Sequence, residues 1–150
     1  MQPKTRSILE TSLYVADLQR SVHFYKNIFG FKILNADERF CAFNIGEKQV
    51  LLLFVKKRSS RPIETLSGTI PSHDGDGHLH LAFEIGKMQY DRWRAHLRKF
   101  QISIESEICL PAEGRSIYFR DPDGHLIELG TRALWRFEKK LRKNAAKNFA

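Results

Sequence analysis

Gly114–Leu129, GRSIYFRDPDGHLIEL, is the stretch whose reading decides the fold. It reads as two short strands joined by a tight turn at Asp121-Pro122-Asp123-Gly124, with Glu128 inside the second strand. Pro presets the first central turn position, and Gly accepts backbone angles that other residues resist. Glu128 is flanked by Ile127 and Leu129, and a carboxylate buried in such a strand is costly without a partner. A metal ion is one such partner.

Upstream of this hairpin, His78–Ile85 reads as a strand and Met88–Phe100 as a helix. Tyr90, Trp93, Leu97 and Phe100 recur on one face of that helix. Ser103–Ile108, Arg115–Phe119 and Leu126–Gly130 complete the half as strands. The first half has the same plan. Ile8–Val15 alternates as a strand. Asp17 is a good N-cap, and Leu18, Val22, Tyr25 and Phe29 form one helical face that Gly30 ends. Phe31–Asn35, Arg39–Ile45 and Gln49–Lys56 follow as strands. Strand, helix and three strands therefore occur twice, in modules of about 7–57 and 78–131. Between them, Lys57–Gly77 is rich in Ser, Gly, Pro and charge, and reads as a connector without periodicity.

The chain has 150 residues, 42% of them hydrophobic and 28% charged, which suits one soluble domain over residues 1–131. No apolar run is long enough to span a bilayer, and MQPKTRSILE lacks the pattern of a secretory signal. Cys41 and Cys109 have no metal or redox spacing, which points to the cytoplasm. The net charge of +8 is local. Residues 132–150 carry seven cations against one anion, a net +6, leaving +2 for the body. That extension reads as a basic amphipathic helix over Ala133–Lys147, suited to packing on the body or on a sister subunit. No base-reading motif accompanies it, so no specific nucleic-acid partner is expected.

The residues VADLQRSVHFYKNIFGFK, HLHLAFEI and EGRSIYFRDPDGHLIELG resemble the vicinal oxygen chelate superfamily. That group includes glyoxalase I, bleomycin-resistance proteins, extradiol dioxygenases and the fosfomycin-resistance thiol transferases. The resemblance covers about residues 7–131. It implies an α+β fold of paired βαβββ modules whose mixed sheets curl into a cup around a divalent metal, in a homodimer where both chains can contribute to one site. It places Glu10, His80 and Glu128 as metal ligands, with Glu10 and Glu128 also in catalytic roles and Mn, Zn, Fe, Ni or Mg as the ion. The strand QVLLLFV has no carboxylate, so a three-ligand site is implied. Ser12 and Ser116 are the implied substrate hydroxyls, and Arg120, beside the turn, suits either contact with an anionic substrate or an exposed structural role. Ile108 and Ala112 stand where fosfomycin-resistance proteins have a Lys and a hydroxyl.

The function implied is metal-dependent lyase, isomerase or thiol-transferase chemistry on a small oxygen-chelating substrate. The alternative is a metal-free, drug-sequestering protein of the bleomycin-resistance type. Other readings of single residues stay open. Glu10 also suits a strand-end charge facing solvent. His78 shares the face of His80 at period two and competes with it, and either suits a histidine bonded to a backbone carbonyl. Arg115 and Tyr118 read as facing away from Ser116, and His125 as exposed in the turn.

Overall fold

Apolar alternation makes β1 (Glu10–Val15), and Asp17 then starts α1 (Leu18–Phe29) by accepting a hydrogen bond from the Arg20 backbone N at 3.0 Å. Gly30 ends that helix at φ 69°, a left-handed conformation glycine adopts without penalty, and its N–H reaches Lys26 O. Strands β2 (Lys32–Ala36), β3 (Phe40–Ile45) and β4 (Gln49–Val55) complete the first module. The second module holds β7 (His80–Ile85), a 3-10 turn at Lys87–Gln89, α2 (Tyr90–Lys99), β8 (Ile104–Cys109), β9 (Arg115–Arg120) and β10 (Leu126–Thr131). A second 3-10 turn, Arg132–Leu134, follows. The computed structural model describes residues 1–110 and 114–135. Most of the expected basic helix lies outside the described residues.

The connector is not structureless. It contains a short hairpin, β5 (Ile63–Thr65) with β6 (Gly68–Ile70). Its far end lies on β1: His73 Nδ1 is 2.8 Å from the Tyr14 hydroxyl, and its ring meets Phe54 edge-on at 4.6 Å.

The two modules form two sheets of matching order, β1-β4-β3-β2 and β7-β10-β9-β8. In each, the first and last strands pair in parallel, because a helical crossover separates them, and the others pair antiparallel. Period-two alternation sends Leu13, Val15, Cys41, Phe43, Leu51 and Leu53 toward α1, where Tyr25 and Ile28 are buried. Ile85, Ile117, Phe119, Ile127 and Leu129 face α2 with Tyr90 and Leu97. The opposite face of the second sheet carries His80, Ser116, Tyr118 and Glu128, and that of the first mixes Glu10 and Ser12 with apolar residues such as Leu52 and Phe54.

The expected cup is corrected here. Each sheet is open, with β1 and β2 as the edges of one and β7 and β8 as the edges of the other, and among the described residues no ladder joins them. Side chains take the place of that ladder. His125, fully buried and not exposed as its turn position suggested, places Nε2 2.9 Å from Tyr14 O and accepts from Leu79 N at Nδ1, 3.0 Å away. The imidazole thus bridges a backbone group of β1 and one just before β7. The DPDG turn adds to this join. Asp123 accepts from Ala16 N and Ser21 Oγ, both at 2.7 Å, and pairs with Arg20 at 3.2 Å. Tyr25, on the buried face of α1, donates its hydroxyl to Asp121 at 2.9 Å.

Candidate functional site

Glu128 lies mid-strand in β10, with Ala82 of β7 and Tyr118 of β9 beside it in register. Alternation puts it on the polar face of the second sheet, yet it is only 9% exposed. The Ser116 hydroxyl donates a short hydrogen bond to Glu128 Oε1. His80 Nε2 stands 3.2 Å from Glu128 Oε2, with half of its own side chain exposed. The imidazole and the carboxylate therefore face each other, one edge of the pair open to solvent.

Tyr118 belongs to this face too, which corrects the expectation that it points away from Ser116. Residues 116 and 118 share parity, and the ring centre of Tyr118 lies 6.4 Å from that of His80. Burial, then the negative charge of Glu128, raise the Tyr118 hydroxyl above its ordinary pKa, although a hydrogen bond with Ser116 opposes this. The hydroxyl is held in its protonated, donating form.

The other candidates are placed as follows. His78 lies against the turn: a Cβ on Gly124 would come within 2.9 Å of its Nε2. Arg120 is engaged by Glu105, at 2.9 and 3.2 Å, and by Gly124 O at 3.0 Å. Ser12 and Glu10 share a face of β1. Glu10 is exposed and lines a cavity of about 150 Å³ with Thr11, Leu81, Ala82 and Phe83. A second cavity of about 150 Å³ lies against Glu128, between Ala82, Phe83, Gly130, Leu134 and Trp135. The two cavities share Ala82 and Phe83, so β7 stands between Glu10 and Glu128. Among the described residues, no three His, Cys, Asp or Glu side chains gather into a metal-binding group.

Two donors do fit a metal. Ligand atoms bound to one first-row ion at about 2.0–2.2 Å lie roughly 3–3.5 Å from each other, and the His80–Glu128 separation falls within that range. An imidazole nitrogen and a carboxylate oxygen form a mixed set that such ions accept.

Residues 7–129 match the Glyoxalase/Bleomycin resistance protein/Dioxygenase superfamily. The chain belongs to that superfamily. Members of this group act on small oxygen-chelating substrates, often with a divalent metal. Among solved superfamily structures, lactoylglutathione lyase from Agrobacterium tumefaciens is similar at 32% identity and TM-score 0.82, over 90% of this chain and 100% of that one. The fosfomycin resistance protein FosX from Mesorhizobium loti is similar at 26% identity and TM-score 0.57, over 87% and 93%. Metallothiol transferase FosB from Staphylococcus epidermidis is 31% identical over 121 residues, 80% of this chain and 78% of its own length.

Tyr118 was within reach of the sequence. A hairpin centred on Asp123 puts residue 118 opposite 128 by counting alone. Leu134 was not within reach, because nothing in the pattern says that the chain folds back after Thr131.

Proposed function

We propose that this chain is a metal-dependent enzyme that adds a thiol to a small, oxygen-bearing electrophile. The observation that carries the reading is the imidazole of His80 set 3.2 Å from the nearly buried carboxylate of Glu128. A sequestering pocket has no need of that buried charge, whose removal from water costs free energy.

In this reading His80 and Glu128 hold the ion, and Glu10 reaches it from a second copy of the chain in a homodimer, since β7 separates Glu10 from Glu128 within one copy. A divalent ion bound there supplies Lewis-acid stabilisation of developing negative charge on a substrate oxygen. Ser116 fixes the orientation of Glu128 by bonding Oε1, which leaves Oε2 turned toward His80. Tyr118 offers its proton as a hydrogen bond to the oxygen on which charge develops. Sulfur bonds to the electrophilic carbon, the carbon–oxygen bond breaks, and the freed oxygen takes up a proton. Glu10 accepts the thiol proton when it is not engaged as a ligand. Ser12, on the same face as Glu10, contacts the substrate from that side, and Arg120 acts at the rim. Residues 1–131 form the catalytic unit, and 132–150 the basic extension.

Thiol transfer is preferred because β4 has no carboxylate to add a fourth ligand and because the FosB relative is named for that chemistry. Ile108, in place of a lysine, argues against fosfomycin as the substrate. Lyase or isomerase chemistry is the second reading, favoured by the TM-score of 0.82 to a lactoylglutathione lyase.

The test is thiol consumption by Mn²⁺-supplemented protein, with glutathione or L-cysteine, against a panel of small epoxides and 2-oxoaldehydes. Turnover of an epoxide that is lost in Glu128→Ala is expected. Isomerisation of the oxoaldehyde adduct without net thiol loss favours the second reading. Ligand binding without turnover, unchanged by metal, overturns both in favour of sequestration.

A further inference from the structure

We propose that His73, in the connector, is a positioning residue. It clamps the Tyr14 end of β1 and so fixes the strand that carries Glu10 and Ser12 relative to the hairpin that carries Glu128. This deepens the metal-dependent reading above and rests on it.

Three parts of the chain meet at Tyr14. Its side chain follows Glu10 and Ser12 on one face of β1, at period two. Its carbonyl oxygen accepts from His125 Nε2, in the turn between β9 and β10, at 2.9 Å. Its hydroxyl lies 2.8 Å from His73 Nδ1. Glu128 follows His125 by three residues in the same hairpin, so both halves of the site are referred to this one residue. β1 needs such a hold. It is an edge strand, with β4 as its neighbour in the sheet, and residues 1–9 before it form no helix or strand.

The clamp is itself held. The His73 ring meets Phe54 edge-on at 4.6 Å, and Phe54 stacks with Tyr14 at 6.0 Å. A Cβ on Gly75 would stand 2.6 Å from Tyr14 Cε2. Gly75 does not have the positive φ that favours glycine, so what it supplies is room for the connector to reach the ring. Behind this contact, His73 N donates to Ser59 O at 2.9 Å, and Asp74 Oδ1 accepts from Lys57 N at 3.2 Å. The segment is thereby tied to the chain just after β4, the strand that pairs with β1. Tyr14 lies four residues from Glu10, about 13 Å along an extended strand. His73 therefore acts through β1 and not on the ion.

The experiment uses full-length protein at one fixed concentration and reads Co²⁺ affinity from the visible absorption of the ion, with urea midpoints measured alongside. His73→Ala and Tyr14→Phe are each expected to weaken Co²⁺ binding at least fivefold in folded protein, since each removes the clamp and leaves every proposed ligand in place. The two changes together are expected to weaken it no more than about the larger single change, because both break one contact. His73→Asn, whose amide stands close to the place of Nδ1, is expected to recover to within twofold of wild type. A role confined to stability would move the urea midpoints and leave the affinity unchanged. Tyr14→Phe, which keeps the ring, decides the matter alone if His73→Ala does not fold. Wild-type affinity in either folded variant, losses that add in the pair, or no recovery in His73→Asn overturns the clamp and leaves the metal reading standing. Failure of wild type to take up Co²⁺, or equal uptake by Glu128→Ala, overturns the metal reading and this inference with it.

Discussion

Glu128 and Asp123 are two nearly buried carboxylates whose surroundings differ. Burial alone would raise the pKa of Asp123, but hydrogen bonds from Ala16 N and Ser21 and the charge of Arg20 outweigh it and hold the group below the ordinary carboxylate value of 3.8. A lowered folded-state pKa means that the ionised form is the one the fold stabilises. Its contribution is complete above the unfolded value and is lost as pH falls through the folded one. Asp123→Asn is therefore expected to cost about 1–3 kcal/mol at neutral pH, measured by urea unfolding, with the gap from wild type closing in strongly acidic solution. A constant gap across that range would contradict this role. Glu128 is met by the hydroxyls of Ser116 and Tyr118 and by the His80 imidazole, with no guanidinium among the described residues like the one beside Asp123. Its need for a partner was legible from Ile127 and Leu129 alone. The role of Tyr118 was equally available from strand parity, and a miscount of faces concealed it.

At the scale of elements, the hairpin of β9 and β10 does two jobs. Its strands carry Ser116, Tyr118 and Glu128, while its turn fastens the second module to the first. The turn residues were legible as a turn, since Pro122 and Gly124 mark one locally. Their grip on the first module was not, because Asp121, Asp123 and His125 reach Tyr25, Ser21 and Tyr14, about a hundred positions away, and local pattern carries no such information. For the same reason a turn histidine reads as exposed. His125→Ala would leave Tyr14 O and Leu79 N unsatisfied in a buried place, at a cost of about 2–4 kcal/mol for the two groups together. Equilibrium urea unfolding is the check, with a lowered midpoint and an unchanged slope expected. A midpoint equal to wild type would mean that the modules are joined by other contacts. The connector hairpin escaped notice because β5 and β6 are three residues each and largely exposed, too short to show a period.

For the whole molecule, the repeated strand-helix-three-strand plan was legible because each module buries one face of a sheet under one helix, and burial leaves a period in the sequence. How the two sheets meet leaves no period. Edge-to-edge relations depend on single side chains such as His125, so the curled cup expected from the resemblance gave way to two open sheets with β7 between Glu10 and Glu128. Every step of the proposed chemistry depends on His80 and Glu128 together holding a divalent ion. The most direct measurement is metal per chain, by elemental mass spectrometry, in protein purified without chelators as wild type and as Glu128→Ala, with circular dichroism confirming that both are folded. The account predicts a stoichiometric first-row ion or Mg²⁺ in wild type and its loss in the variant. A metal-free wild type, or equal metal in the two proteins, would contradict it.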